Sequence, residues 1–352
     1  MSEVKKKIIK TEDGKFKCIF CDFVSSNPFS VIRHMAEHTS KTSKKPSEND
    51  GKVVSGNGIE ILPVRAEDYI PKQVPQYVEL HSELAIYDKF LENQIPILLR
   101  GPKGTGKTLS IAYFAAKKGI PIIQFDCSEN TKRFDLIGRF ILRGEEVKYL
   151  LGALPTAIEI ANQAGRAILV LEELNALTPQ MQKVLNQLLD WRRHVYIPEI
   201  GKTYELRNGA KLLICATMNP STYGGVFELN EDLKSRFTEL FVNYPKREKE
   251  RQIISLTGLD ESLQTWLLAL AEETRAGVAK GELSYALSPR DLVMFGEVYK
   301  ALGDLKQALF LTVVNRYEDT QERKTVIARI EAIFGIQLID FEERQEEQKE
   351  EQ

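Results

Sequence analysis

From residue 59 onward the chain carries two hydrophobic periods that take turns. Short unbroken apolar runs occupy 95–100 (IPILLR), 121–126 (PIIQFD), 167–172 (AILVLE), 211–216 (KLLICA) and 238–242 (TELFV). Runs of this length and continuity are what strands covered on both faces require. Between them, 106–118, 154–164, 179–193 and a shorter stretch at 229–236 place apolar residues at helical spacing. Alternation of the two predicts an α/β fold, a doubly wound parallel sheet. After Pro245 the strand runs stop. Residues 246–336 keep helical periodicity, interrupted at Gly258, at 277–287 and at Gly303, which predicts a separate helical domain. No internal repeat is evident.

The first 58 residues follow neither period. Residues 40–58 (SKTSKKPSENDGKVVSGNG) are rich in Ser, Lys, Gly and Asn and read as a flexible linker. They separate a small module at 15–39 from an α/β region at 59–245. The helical domain spans 246–336, and 337–352 form an acidic tail.

Composition adds limits. The chain has 352 residues with 43% hydrophobic and 28% charged content, ordinary for a globular protein of one to three domains. No run approaches the roughly 20 apolar residues that cross a bilayer. The N-terminus lacks the apolar core of a secretory signal, so a cytoplasmic protein is expected. Net charge is −2, which argues against a wholly basic nucleic-acid binder. The charge is uneven, however. Residues 1–46 hold ten Lys/Arg against five Asp/Glu, whereas FEERQEEQKEEQ (341–352) holds six Glu against one Arg and one Lys. Of four cysteines, Cys127 and Cys215 lie in apolar runs and read as buried small hydrophobes.

The strongest chemical signal is LLRGPKGTGKT (98–108), a GxxxxGKT loop between a predicted strand and a predicted helix. Gly101, Gly104 and Gly106, with Thr105, let backbone N–H groups approach phosphate oxygens, and the helix N-terminus adds its dipole. Lys107 would reach the β- and γ-phosphates of ATP, and Thr108 would ligate Mg²⁺. The second signal is AILVLEELN (167–175), an apolar strand ending in Glu172-Glu173. The first carboxylate suits Mg²⁺ and the second suits a general base that activates water.

With these two motifs at this separation, the chain resembles AAA+ ATPases, and within them the MoxR type, over roughly residues 70–335. Most members have Asp-Glu where this chain has Glu172-Glu173. The resemblance implies ATP hydrolysis and further roles. Asn219 (ICATMNP, 214–220) is similar to the sensor-1 residue. Arg236 (LNEDLKSRF, 229–237) is similar to the arginine finger offered to a neighbouring subunit. Arg290 (LSPRDLV, 287–293) is similar to sensor 2 on a helical lid. Arg192 and Arg193 fall at an expected subunit edge, where a role in trans and a structural role both stand. Segments 134–162 and 194–220 resemble inserted hairpins that face the pore of a ring, with Tyr149 and Leu150 as candidate substrate contacts. An arginine finger implies a homo-oligomer, by resemblance a hexameric ring. The client implied is a protein, with a von Willebrand factor A domain among the types such ATPases serve.

Cys18-x2-Cys21-x12-His34-x3-His38 has the ligands and spacing of a tetrahedral Cys2His2 Zn²⁺ site, a ββα zinc finger. Phe16 and Val31 suit its small core. Ser25 stands where the usual aromatic falls, and Phe23 is the substitute. Base-reading positions would be Asn27, Ser30 and Arg33, aided by Lys5, Lys6, Lys7, Lys41, Lys44 and Lys45. Phe29 and Met35 suit protein docking instead. Two functions stand at this point: a ring ATPase remodelling a protein partner, or a nucleic-acid motor loaded through the finger.

Overall fold

The computed structural model describes residues 9–11, 13, 15–17, 24–25, 53–54, 58–219 and 227–338. The four expected zinc ligands, Cys18, Cys21, His34 and His38, lie outside the described residues, as do the base-reading positions and most of the acidic tail.

All five expected strands form: β1 (Ile97–Arg100), β2 (Ile122–Asp126), β3 (Arg166–Glu172), β4 (Lys211–Met218) and β5 (Thr238–Phe241). They make one sheet in the order β5-β1-β4-β3-β2, with β3 running parallel to both β2 and β4. The middle of β3 and of β4 is buried, which is why their runs are uninterrupted by polar residues. The register pairs Glu172 with Asp126, so both acidic strand ends lie at the same edge.

The helices before and between the strands are α1 (Glu83–Asn93), α2 (Lys107–Lys118), α3 (Arg133–Ile137), α4 (Ala153–Ala164), α5 (Pro179–Leu189) and α6 (Glu231–Lys234). After the sheet come α7 (Arg247–Ser255), α8 (Glu261–Lys280), α9 (Pro289–Leu302), α10 (Leu305–Thr312) and α11 (Thr320–Phe334).

Two compact units are present. One contains 1–73, 87–98 and 115–239; the other contains 74–86, 99–114 and 240–352. The first unit is built around Leu154, Ile158, Leu169, Leu171, Ile214 and their neighbours. The second is built around Leu267, Leu292, Phe295, Leu309 and Ile330 from the C-terminal helices.

Three expectations about elements need correction. The helix expected over 179–193 ends at Leu189, because Asp190 is extended and Arg193 takes a left-handed φ of 47°. The break expected at 277–287 starts later. Helix α8 runs through Gly277 to Lys280 and stops at left-handed Gly281. Gly277 is there for space: a Cβ would lie 2.6 Å from Arg329 Nη1 and 2.8 Å from Leu283 Cδ1. The flexible linker expected over 40–58 contains strand Val53–Val54, paired with Glu60–Ile61.

Both expected insertions are hairpins. Gly138–Arg143 pairs antiparallel with Glu146–Leu151, and His194–Ile197 pairs with Lys202–Glu205. Tyr149 is fully buried against Phe140 and cannot touch a substrate as expected, and Leu150 is half-buried. The apolar side chain the first hairpin does present is Leu142, 72% exposed beside its turn.

Candidate active site

The phosphate-loop residues belong to the second unit. The loop follows β1 directly and opens α2 at Lys107. Lys107 is buried, and its ammonium donates to Gly101 O at 2.8 Å and to Pro102 O at 2.7 Å. Thr105, also buried, donates to Pro102 O at 3.0 Å. These bonds close the loop on itself with a cation inside it. Thr108 lies in the first turn of α2, half-exposed.

Gly104 has φ +74° and packs against the start of α9. A Cβ there would lie 2.1 Å from Ser288 Oγ and 3.3 Å from Arg290 Cβ. Arg290 is therefore beside the loop, and its side chain is exposed. The helix that carries it is fixed by a capping box. Ser288 N and Oγ both donate to Asp291 Oδ2, at 2.8 and 2.6 Å. Asp291 is buried and also accepts from Tyr285 OH, at 3.0 and 2.9 Å, and pairs with Arg316. Burial, and then the Asp291 charge, pushes the Tyr285 phenol above its ordinary pKa, so it stays a donor. Below this, buried Glu250 takes a two-point bond from Arg275, whose guanidinium also lies over Tyr244.

The residues expected to act in hydrolysis belong to the first unit. Glu172 ends β3, and Gln124 Nε2 donates to its Oε1 at 3.2 Å. Glu173 follows at φ 52°, a left-handed conformation that costs a non-glycine residue about 1 kcal/mol or more. Two bonds hold it there. Its N–H donates to Thr217 Oγ1 at 3.2 Å, and its Oε1 accepts from Asn219 Nδ2 at 3.1 Å. Buried Asn175 in turn donates to Asn219 O at 3.2 Å. Glu173 and Asn219 are thus brought together. Sequence reasoning missed Gln124, Thr217, Asn175 and Asp291, which bond to these residues or cap the helix of Arg290. Asn175, Thr217 and Asp291 each lie within a motif, whereas Gln124 carries no such signal. The nearby Cys127 thiol is pushed up by burial, then by Asp126, Glu172 and Glu173.

Arg236 follows α6. It donates to Asp232 Oδ1 at 3.1 Å, while its buried Nε has no partner among the described residues. It lines an open depression of about 330 Å³ with Asn186, Arg192, His194 and Tyr196. Arg192 is exposed and pairs with Asp190 at 3.0 Å, and the neighbouring Trp191 is 87% exposed. Arg193 instead clamps the backbone, donating to Leu188 O and Gln94 O at 3.0 and 2.6 Å. That assigns Arg193 a structural role.

A GxxxxGKT loop opening a helix, and a carboxylate pair ending a buried strand, are the two motifs of an ATP-hydrolysing P-loop enzyme. Residues 96–237 match the AAA domain of the dynein-related subfamily. The chain is 28% identical over 263 residues to Protein NorQ of Paracoccus denitrificans, covering 74% of this chain and 94% of the relative. It is 28% identical over 269 residues to Protein CbbQ of Hydrogenophilus thermoluteolus, covering 76% and 98%. It is 25% identical over 293 residues to the aerobic cobaltochelatase subunit CobS of Sinorhizobium sp, covering 78% and 86%. The chain is an ATP hydrolase with an AAA domain at residues 96–237, similar to these proteins over about three quarters of its length. Among the described residues, no helix is long and apolar enough to cross a membrane.

Proposed function

We propose that this ATPase forms a ring, hexameric by resemblance, and uses ATP hydrolysis to remodel or activate a partner protein. The observation that carries the reading is Glu173, held in a left-handed backbone by Thr217 and aimed by Asn219. A carboxylate fixed at that cost suits a general base. Lys107 binds the β- and γ-phosphates, and Arg290, beside the loop, couples the helical lid at 246–336 to them. Thr108 and Glu172 offer the hard oxygen donors that Mg²⁺ takes, and the ion would offset charge on the phosphates. Arg236, whose part-exposed side chain lines an open depression, completes the site of an adjacent subunit.

The likeness to a cobaltochelatase subunit supports a protein client, one carrying a von Willebrand factor A domain being a type the resemblance implies. The N-terminal module recruits it. Phe16–Lys17 pairs antiparallel with Val24–Ser25, bracketing Cys18 and Cys21 as the hairpin of a ββα zinc finger brackets its thiolates. Six copies on one ring bind a repeated target together by effective concentration. The basic N-terminus favours a second reading, in which the finger loads the ring on nucleic acid.

Glu173→Gln tests the base. It should bind ATP normally and hydrolyse it roughly 10²–10⁴-fold more slowly; undiminished turnover would remove Glu173 from that role. Stimulation of the wild-type rate by DNA, with none by a purified client, would favour the second reading.

A further inference from the structure

The segment that joins the N-terminal module to the ATPase body is part of the insertion sheet. Glu60–Ile61 pairs in parallel with the second strand of the hairpin, Glu60 opposite Lys148 and Ile61 opposite Tyr149. Leu62 N continues the ladder to Tyr149 O at 2.9 Å. On the other side Val53–Val54 adds antiparallel to Glu60–Ile61, giving four strands in the order 53–54, 60–61, 146–151, 138–143.

Side chains reinforce the pairing. Lys148 Nζ lies 3.1 Å from Glu60 Oε1 and 3.3 Å from Glu146 Oε2, with the Lys148 and Glu60 side chains 14% and 23% exposed. Such sheltered pairs are screened less by salt than surface ones. Ile61 is 2% exposed and belongs to the same apolar cluster as Tyr149 and Leu151. Ile59 and Val64 pack on that cluster. Beyond the strand, Gln163 of α4 accepts from Ala66 N and donates to Val64 O, at 3.0 and 2.9 Å. A passive tether needs none of this. Ladder bonds, an ion pair and a buried isoleucine make the hairpin and residues 60–62 one mechanical piece, to which Val53–Val54 is paired.

We propose that residues 53–62 are a latch that transmits displacement between the insertion hairpin at 138–151 and the N-terminal module. When nucleotide turnover shifts the hairpin, the latch shifts with it and carries whatever the module holds. The inference rests on the proposed remodelling of a partner by ATP hydrolysis, and adds to it that the hairpin moves with nucleotide turnover.

Amide hydrogen exchange on the full chain, with ADP and with a slowly hydrolysed ATP analogue, tests it. Exchange in 138–151 and in 58–62 should change together between the two nucleotides. Glu60→Lys, which sets two ammonium groups face to face, should raise exchange in 58–62 roughly tenfold and abolish its response to nucleotide. The hairpin's own response should survive. The reversed pair Glu60→Lys/Lys148→Glu should restore the coupling, which separates loss of the latch from general misfolding. A hairpin that responds while 58–62 stays silent in the wild type overturns the latch alone. A hairpin that does not respond overturns both the latch and the moving-hairpin reading beneath it. Unchanged coupling in Glu60→Lys overturns the role of the ion pair and with it the latch as argued.

Discussion

Glu173 occupies a backbone conformation that side chains avoid, and the residues that keep it there are the ones open to test at this scale. Thr217 accepts from its N–H, and Asn219 donates to its carboxylate. Thr217→Val preserves shape and removes only the acceptor. A part-buried N–H left unsatisfied costs roughly 1–3 kcal/mol, which here acts on the placement of the base. Steady-state ATPase assays should show kcat lowered about tenfold with KM for ATP unchanged. A rise in KM alone would mean that Thr217 serves binding. The thiols give a second test. Cys127 and Cys215 are buried, and burial pushes both thiols well above the ordinary range. In the native protein a thiol reagent should therefore reach neither. With Zn²⁺ held by Cys18, Cys21, His34 and His38, the other two should be protected as well. A chelator should then release two reactive thiols of the four, and unfolding the remaining two. Four slow thiols in the chelated protein, or two fast ones before chelation, would contradict the zinc site.

At the scale of elements, the central strands β1, β3 and β4 were legible because they are buried almost throughout, so their apolar runs have no polar gaps; the outer strands β2 and β5 carry exposed polar positions and were legible from their place in the alternation. The phosphate loop and the carboxylate pair were legible because their chemistry restricts residue type at fixed spacing. The rest depends on contacts distant in sequence. Nothing in GKVVSGNGIEI announces that it will pair with a hairpin some ninety residues later, and its Gly and Ser pointed to a linker. Tyr149 looked available because an aromatic in a hairpin is a reasonable contact, yet its face of the strand turns inward against Phe140. Alternation along a strand sends neighbours to opposite faces, and the hairpin's exposed apolar group proves to be Leu142. An exposed leucine in a structured hairpin suits contact with a client. Leu142→Asp should change stability by no more than about 0.5 kcal/mol and leave the basal ATPase rate unchanged. It should abolish the client's stimulation of that rate. Full stimulation in the variant would take Leu142 out of the client path.

At the scale of the whole molecule, the proposed ring has active sites that one copy does not complete. Lys107, Arg290, Glu172, Glu173 and Asn219 serve the nucleotide of their own subunit in this account, and Arg236 serves a neighbour's. Arg236 lines an open depression with Arg192, whose neighbour in sequence, Trp191, is exposed. Mixing two inactive proteins tests this most directly. Glu173→Gln and Arg236→Ala should each assemble, bind ATP and turn over at least about 10²-fold more slowly than wild type. Mixed in equal amounts under conditions of subunit exchange, they should regain activity. About one interface in four then joins an intact Glu173 to an intact Arg236. ATPase activity near a quarter of the wild-type level in the mixture is the result predicted. Mixed rings that form and stay inactive, or an Arg236→Ala protein that hydrolyses ATP normally alone, would contradict the shared site.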